Sequence, residues 1–198
     1  MASNEKSPAD IAQSLYLLVG KTKECNAAIS RMLSDTAAQL EQGKPRLGIV
    51  SGSTYGYSST VLEQPEYWTK NSFGFVMAAK DRSESKIPSK AAIISVQYHH
   101  ETVIDRAELW FAIAKTEKMD SLSYLQWWTS VDSVKKWSDR TLPAYGDWSA
   151  EKTYSHHDAV GIRFNLSRQP LNLLQDSSTI NKLVVQPILA EWRKSKWA

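Results

Sequence analysis

The stretch KAAIISVQYHHETVIDRAELWFAIAK, residues 90–115, decides the fold. It contains two runs rich in β-branched and aromatic residues, 91–99 and 107–115, which predict two strands. The segment between them, 101–106, is too short to cross over a sheet, so the two strands are predicted to pair antiparallel. In the second run both alternating faces are largely apolar. This pattern predicts a central strand that is covered on both sides.

Three further apolar runs and three helical patterns complete the predicted fold. We expect strands at 47–50, 73–79 and 159–166, and helices at 8–42, at 121–137 and in a last segment that opens at Ser178 or Thr179. Pro187 is expected to kink or divide the last helix, because proline lacks a backbone donor. We therefore predict an α+β protein in which residues 1–198 form a single domain. Its sheet is expected to be mainly antiparallel with 4–5 strands, a long N-terminal helix and two further helices.

The N-terminal helix is predicted to run over 8–42. Pro8 is suited to the first helical position, and Gly43 followed by Pro45 supplies the end. A helix of that length measures about 50 Å, which exceeds the width of a domain of this size. It therefore either breaks near Gly20 or projects and finds a partner, such as a second copy in a homodimer through helix 8–42. Its less polar positions are separated by steps close to four and three, as in a coiled-coil seam: Ile11, Leu15, Leu18, Thr22, Cys25, Ile29, Met32, Thr36 and Leu40.

The two halves of this helix differ in their apolar pattern. Residues 15–19, LYLLV, make the first half apolar nearly all round, whereas the second half carries only a stripe. A helix that is apolar all round is normally a buried one. We therefore expect the first half to be buried most deeply, with the helix lying across its own sheet in preference to a dimerising coil.

The charge of the chain bears on whether it binds nucleic acid. The chain has 24 basic and 21 acidic residues, a balance that does not fit a dedicated nucleic-acid-binding surface. The basic excess lies at the C-terminal end, where Arg193, Lys194 and Lys196 stand between two tryptophans. These cations either contact nucleic acid or belong to a solvated last helical turn.

The cysteine content and the N-terminal sequence bear on location. A single cysteine fits a reducing compartment. The opening MASNEKSPAD lacks the pattern of a secretory signal, and no run of about 18 apolar residues could span a membrane. A cytoplasmic protein without membrane contact is the expectation.

All four histidines lie in two similar segments, YHHE at 98–101 and SHHD at 155–158. Imidazole and carboxylate are good ligands for zinc, iron or manganese, so these segments could form a site for a divalent metal in a hydrolase or nuclease. On a strand, however, neighbouring side chains point to opposite faces, which places the two carboxylate-bearing halves on unlike faces if both strands run straight. The candidate ligands are His99, Glu101, His156, His157 and Asp158.

The aromatic residues support a different function. Five of the eight tryptophans fall between residues 110 and 148, and the segment SGSTYGYSS at 51–59 has the composition of a recognition loop. The competing interpretation places these tryptophans in the core or at its rim. We predict a cytosolic, non-enzymatic protein-interaction module, binding or inhibitory, without a cofactor; the alternative is the metal-dependent enzyme. The candidate binding residues are Tyr55, Tyr57, Tyr124, Trp127, Trp128, Trp137, Tyr145 and Trp148.

Overall fold

The structure, a computed structural model, describes residues 8–50, 55–57, 72–80, 90–98, 105–115, 142–156 and 159–194. Its strands are β1 Leu47–Ile49, β2 Tyr55–Tyr57, β3 Ser72–Ala79, β4 Lys90–Gln97, β5 Glu108–Lys115, β6 Lys152–His156 and β7 Ala159–Pro170. Its helical segments are α1 Pro8–Gln42, the 3₁₀ turn Leu171–Leu173, α2 Ser177–Ile180, the π-helical turn Asn181–Val185 and α3 Gln186–Lys194. The last three segments follow one another without a break and are called the C-terminal helix below.

One antiparallel sheet contains all of these strands. The strand order is β1-β3-β4-β5-β7-β6, and β2 pairs with β3 beside β1. β4 and β5 pair antiparallel from Lys90 opposite Lys115 to Gln97 opposite Glu108, as the sequence predicts. The α+β class and the antiparallel sheet with its long N-terminal helix are confirmed. Five strands of five or more residues form the body of the sheet, and two three-residue strands extend one edge.

Both faces of β5 are buried, which confirms its predicted central position. Phe111 and Ile113 point to the face that packs against α1 and the C-terminal helix. Trp110 and Ala112 point to the opposite face and belong to a second apolar cluster. Residues in a strand alternate between faces, so β5 needs apolar side chains at nearly every position.

Helix α1 is continuous through Gly20, and only its C-terminal half packs on the sheet. Thr36 and Leu40 are fully buried, whereas Tyr16 is 76% and Leu18 is 60% exposed. The expectation that the first half is buried most deeply was therefore wrong. The reason is length: a 35-residue helix measures about 52 Å, but an eight-residue strand covers only about 27 Å. Residues 8–28 extend past the region that packs on the sheet and are called the overhang.

The C-terminal helix begins one residue earlier than predicted, and it accommodates Pro187 by forming a wider, π-helical turn before it. Asp176 caps it, and its carboxylate accepts a hydrogen bond from the Thr179 backbone N–H at 2.8 Å. The Gln186 N–H reaches back five residues to the Asn181 carbonyl, which forms the π-helical turn directly before Pro187. The proline therefore modifies the helix without ending it. The other predicted helix, 121–137, lies outside the described residues.

Polar side chains fasten α1 to the C-terminal helix. The Ser177 hydroxyl donates to the Asp35 carboxylate at 2.6 Å, and the Asn181 amide donates to the Gln39 side-chain oxygen at 2.7 Å. These contacts occur one helical turn apart on both partners, so they fix the relative position of the two helices.

Two features of the sheet differ from the sequence interpretation. β6 at Lys152–His156 was not predicted, and β7 extends to Pro170 instead of ending at residue 166. Residues 167–170 of β7 are polar or proline at positions where apolar side chains are expected. The apolar pattern therefore did not predict them as part of a strand. Within the predicted 51–59 loop, Tyr55–Tyr57 form a short strand paired with β3.

Candidate functional site

The structure tests only part of the predicted histidine site. β6 ends at His156, which pairs with Ala159 at the start of β7, so the chain reverses direction between these two residues. The register between β6 and β7 is irregular from Tyr154 to His156. The other four candidate ligands, His99, Glu101, His157 and Asp158, lie outside the described residues. Among the residues that are described, no group of three or more His, Cys, Asp or Glu side chains could hold a metal ion.

Two of the predicted aromatic binding residues lie in one described segment, 142–149, which we call the strap. Tyr145 is 40% exposed. Trp148 is partly buried and packs edge-on against Phe111, with ring centroids 5.5 Å apart and planes at 80°. Tyr124, Trp127, Trp128 and Trp137 fall outside the described part of the chain, and for Tyr55 and Tyr57 only the strand backbone is described.

A buried carboxylate lies where the strap meets the sheet. Glu108 is 0% exposed. Its carboxylate accepts hydrogen bonds from the Trp110 indole Nε1 at 2.7 Å and from the Tyr145 hydroxyl at 2.6 Å. Arg168 Nη1 donates to both carboxylate oxygens, at 3.1 and 3.3 Å. A buried charge is tolerated only when it is paired and hydrogen-bonded, and Glu108 meets both conditions.

Arg168 connects this carboxylate to the strap. Its Nε donates to the Pro143 carbonyl at 2.9 Å, and its guanidinium carbon lies 4.5 Å from the centroid of the Tyr145 ring. Burial, followed by the hydrogen bond to Glu108, raises the pKa of the Tyr145 hydroxyl above its ordinary value. The hydroxyl therefore stays protonated and continues to donate at neutral pH. The strap, β5 and β7 are thus joined through one buried ion pair.

The strap also follows the backbone of β7. Gly146 N–H donates to the Arg168 carbonyl at 3.1 Å, and Ser149 N–H donates to the Leu166 carbonyl at 2.8 Å. The Ser149 hydroxyl accepts from the Leu166 N–H at 3.0 Å. Because Tyr145 contacts Glu108 while Trp148 contacts the helix-side core, the strap links the two faces of the sheet.

Gly146 is the residue of the strap whose backbone conformation favours glycine. Its φ is +85°, a left-handed value that costs residues with a Cβ about 1–2 kcal/mol. An added Cβ would lie 3.2 Å from the Gln169 side-chain nitrogen. We expect Gly146→Ala to lower the free energy of unfolding by about 1–2 kcal/mol in urea denaturation. Ala144→Gly, two residues away in the exposed part of the strap, is the control; equal losses would show that φ at 146 is not the cause.

Sequence reasoning missed Glu108 and Arg168 as site residues. A signal was present, because Glu108 opens a strand whose faces were both predicted to be covered, and a buried acid needs a cation. The identity of that cation depended on the pairing of β5 with β7, which places Trp110 opposite Arg168.

The second candidate site is the overhang. Four consecutive apolar side chains in it are exposed: Tyr16 by 76%, Leu17 by 53%, Leu18 by 60% and Val19 by 54%. Between residues 10 and 28, every described side chain except Ser14 is exposed. Clusters of exposed apolar groups are typical of surfaces that interact with other molecules.

The basic C-terminal residues are partly used within the chain. Arg193 Nε donates to the Leu189 carbonyl at 3.0 Å, and Lys194 pairs with Glu191 at 3.5 Å. Trp192, which directly precedes Arg193, is only 9% exposed, so its ring face is not open to a nucleic-acid base. Lys90 donates to the Trp192 carbonyl at 2.6 Å, and burial lowers the pKa of this lysine. Lys196 lies outside the described residues.

No helix in the described part of the chain combines the length and the apolar character needed to cross a membrane. Comparison with known proteins likewise yields no relative: no family model, no curated protein and no solved structure matches this chain.

Proposed function

We propose that the protein is a cytosolic, non-enzymatic protein-interaction module that associates through the overhang of α1, and that one occupant of this surface is a second copy of the chain. The observation that carries the proposal is the exposure of Tyr16, Leu17, Leu18 and Val19 on a continuous helix. Its cytosolic location is supported only by the single cysteine.

The free energy of burial favours a partner for these side chains. Full burial of a leucine or valine side chain contributes about 1.5–3 kcal/mol relative to leaving it in water. Within the part of the chain that the structure describes, the rest of the fold does not supply that burial, because the overhang extends beyond the described strands. Polar and charged neighbours such as Lys21, Lys23 and Glu24 flank the apolar group on its C-terminal side. An apolar patch with a polar rim is typical of an interaction site.

A second copy supplies a matching surface without any further assumption. The seam spacing of four and three residues continues through the overhang, and identical seams can interdigitate across a two-fold axis. This arrangement is the predicted homodimer through helix 8–42, restricted to the part of α1 that does not pack on the sheet.

The aromatic-rich segment stays part of the proposal as a second surface. Support for it comes from the composition of residues 124–148 and from Tyr145, which is 40% exposed although its hydroxyl is bound to Glu108. The alternative of a metal-dependent hydrolase or nuclease rests on the two histidine segments alone, and no contact among the described residues adds to it.

Introducing a charge into the exposed apolar group is expected to dissociate the protein. A carboxylate at position 18 would have to be desolvated in the interface, so Leu18→Asp is expected to give a chain of 22.3 kDa. The unsubstituted protein is expected to show a larger, concentration-dependent mass. Light scattering coupled to size-exclusion chromatography measures both masses.

Gln13→Asp is the matched control, since it adds the same charge to an exposed position of the same helix. It is expected to keep the mass of the unsubstituted protein. A 22.3 kDa mass for the unsubstituted chain at the highest attainable concentration would refute self-association through α1.

A further inference from the structure

We propose that one end of the sheet, marked by Lys90, Lys115 and Arg163, binds the phosphate backbone of a nucleic-acid duplex without reading its bases. This end and the helix ends beside it are called the basic end below. The proposal goes beyond the protein-interaction function and does not depend on self-association. It follows from the register of the strands, from the distribution of charge and from the length of the basic end.

Three neighbouring strands place like charges directly opposite one another. Lys90 of β4 lies opposite Lys115 of β5, which lies opposite Arg163 of β7. All three positions belong to the face that packs against α1 and the C-terminal helix. Burial lowers the pKa of Lys90, Glu191 opposes this shift and Lys115 adds to it. Opposed like charges destabilise a sheet, and a bound polyanion would offset that cost.

A second group of cations lies beside this row, around the end of α1. Lys44, Arg46 and Lys80 are exposed and help to line a surface cavity of about 510 Å³. The Lys80 N–H donates to the Arg46 carbonyl at 3.0 Å, and the antiparallel register of β3 with β4 brings the end of β3 beside Lys90. Glu41 pairs with Lys80 at 3.3 Å. With three basic residues against one acidic residue, this group extends the row toward β1.

The C-terminal helix adds a third group. Lys90 Nζ donates to the Trp192 carbonyl at 2.6 Å, which places the exposed Arg193 and Lys194 beside the row. Glu191 pairs with Lys194 at 3.5 Å. Because Trp192 is only 9% exposed, bases cannot stack on its ring. The contacts available to this group are therefore contacts with phosphates.

The net charge of the described residues is concentrated at the basic end. Its three groups contain eight basic residues against three acidic ones, Glu41, Glu151 and Glu191. The remaining described residues contain seven basic and seven acidic side chains, so their charges balance. The C-terminal ends of α1 and α3 also lie here, and their dipoles together are equivalent to about one negative charge. An excess of about four positive charges remains.

The neighbouring segments outside the described residues do not change this excess. Residues 81–89, 116–141, 157–158 and 195–198, which join the basic end in the chain, together contain seven basic and seven acidic side chains. The near-balance of the whole chain, 24 basic against 21 acidic residues, is therefore compatible with a basic surface, because the fold gathers the excess in one place.

The shape of the basic end fits a linear polyanion. From Arg46, directly before β1, to Arg163 in β7 it crosses five neighbouring strands, or about 19 Å at about 4.8 Å per strand spacing. A duplex carries one phosphate for about 1.7 Å of its axis. The basic end is therefore long enough to face the backbone of about five or six base pairs.

An anionic membrane fits this surface less well. Membrane-binding surfaces combine cations with apolar side chains that enter the bilayer. The four consecutive exposed apolar residues, 16–19, lie about 35 Å along α1 from its end at Gln42. The cations and this apolar group are thus too far apart to act as one membrane-binding surface.

Fluorescence anisotropy with a fluorescein-labelled DNA duplex of about 20 base pairs tests the proposal. With about five phosphate contacts, the logarithm of the association constant is expected to fall against the logarithm of the salt concentration with a slope of about −4 to −5. Such a slope between about 50 and 200 mM salt supports the proposal. Absence of binding at about 50 mM salt, or a slope close to zero, overturns it.

Lys80→Gln combined with Lys115→Gln removes one cation from each of two groups. Each lost contact weakens binding about tenfold at about 0.1 M salt, so we expect a loss of about a hundredfold and a slope less steep by about two. Lys21→Gln combined with Lys23→Gln is the matched control, because it removes the same charge from exposed positions of the overhang. It is expected to bind like the unsubstituted chain. Equal losses would attribute binding to net charge alone and overturn the proposal.

Two further measurements separate charge from packing and nucleic acid from lipid. Lys80→Arg combined with Lys115→Arg keeps both charges and is expected to keep the affinity, whereas a loss as large as that of the glutamine variant would attribute the effect to packing. Circular dichroism checks that every variant keeps its helix content. Competition by duplex RNA supports contact with phosphates. Tighter binding to phosphatidylserine vesicles than to the duplex would overturn the choice of nucleic acid.

Discussion

Replacing Glu108 by alanine is expected to lower the free energy of unfolding by about 3–5 kcal/mol, a large fraction of the stability of an ordinary domain. The substitution leaves the Arg168 guanidinium, whose side chain is only 16% exposed, without its carboxylate. It also removes the acceptor for the Tyr145 hydroxyl and for the Trp110 indole N–H. Buried donors without acceptors cost more than the net worth of the bonds they made. Urea denaturation followed by tryptophan fluorescence measures the loss.

The exposed ion pair Asp105–Arg106 offers a matched control. Its atoms approach within 2.7 Å, but its side chains are 70% and 52% exposed, so water already compensates both charges. Asp105→Ala is expected to leave the denaturation midpoint close to that of the unsubstituted protein. Equal losses for Glu108→Ala and Asp105→Ala would contradict the role assigned to burial.

A double substitution separates the effect of losing the ion pair from the effect of losing side-chain volume. Glu108→Leu combined with Arg168→Met replaces both charges by apolar side chains of similar size. Because breaking a buried pair costs more than replacing it whole, the double variant is expected to recover much of the stability lost in Glu108→Ala. If the double variant is less stable than the single one, the strap depends on the ion pair itself.

Phe111→Ala is expected to cost a similar amount, about 3–5 kcal/mol. Phe111 is 1% exposed at the centre of β5 and carries the edge contact to Trp148. Its removal opens a cavity in the helix-side core and releases the aromatic end of the strap. The change in the urea midpoint measures the destabilisation, and near-ultraviolet circular dichroism reports the loosened Trp148.

Leu173→Ala is the control for this core substitution, because Leu173 is 48% exposed and its truncation leaves no enclosed cavity. It is expected to change stability only slightly. A loss at Leu173 as large as that at Phe111 would mean that the cavity argument fails.

The sheet was predictable where its signals are local. The apolar runs at 91–99 and 107–115 and the short segment between them determine both the pairing of β4 with β5 and its direction. β7 was predicted over 159–166 but not to its end at Pro170, because Ser167 and Gln169 continue the polar helix-side positions that begin at Asn165. Asn165 is tolerated there since its amide donates to the Glu191 carboxylate at 2.6 Å. That partner is supplied by a helix 26 positions later in the chain, which periodicity within β7 cannot reveal.

The burial of α1 was predicted in the wrong place for a different reason. Hydrophobicity indicates which side chains favour burial, but only the length of the sheet decides which of them the fold can cover. LYLLV at 15–19 is the more apolar segment, yet the sheet ends before reaching it. The buried pair of Glu108 and Arg168 was missed for a related reason, because residues 60 positions apart meet only through strand pairing.

The strap has a further consequence for how copies of this chain meet. Edge strands readily recruit strands from other molecules, and such recruitment leads to open-ended aggregates. At the outer edge of β7, the carbonyls of Leu166 and Arg168 are already occupied by N–H groups of the strap, and the Leu166 N–H is bound as well. A neighbouring strand would have to displace these bonds, and the strap that makes them is also held by the hydrogen bond from Tyr145 to the Glu108 carboxylate. Growth by strand addition is thereby blocked at this position, whereas a helix pair related by a two-fold axis closes on itself and stops.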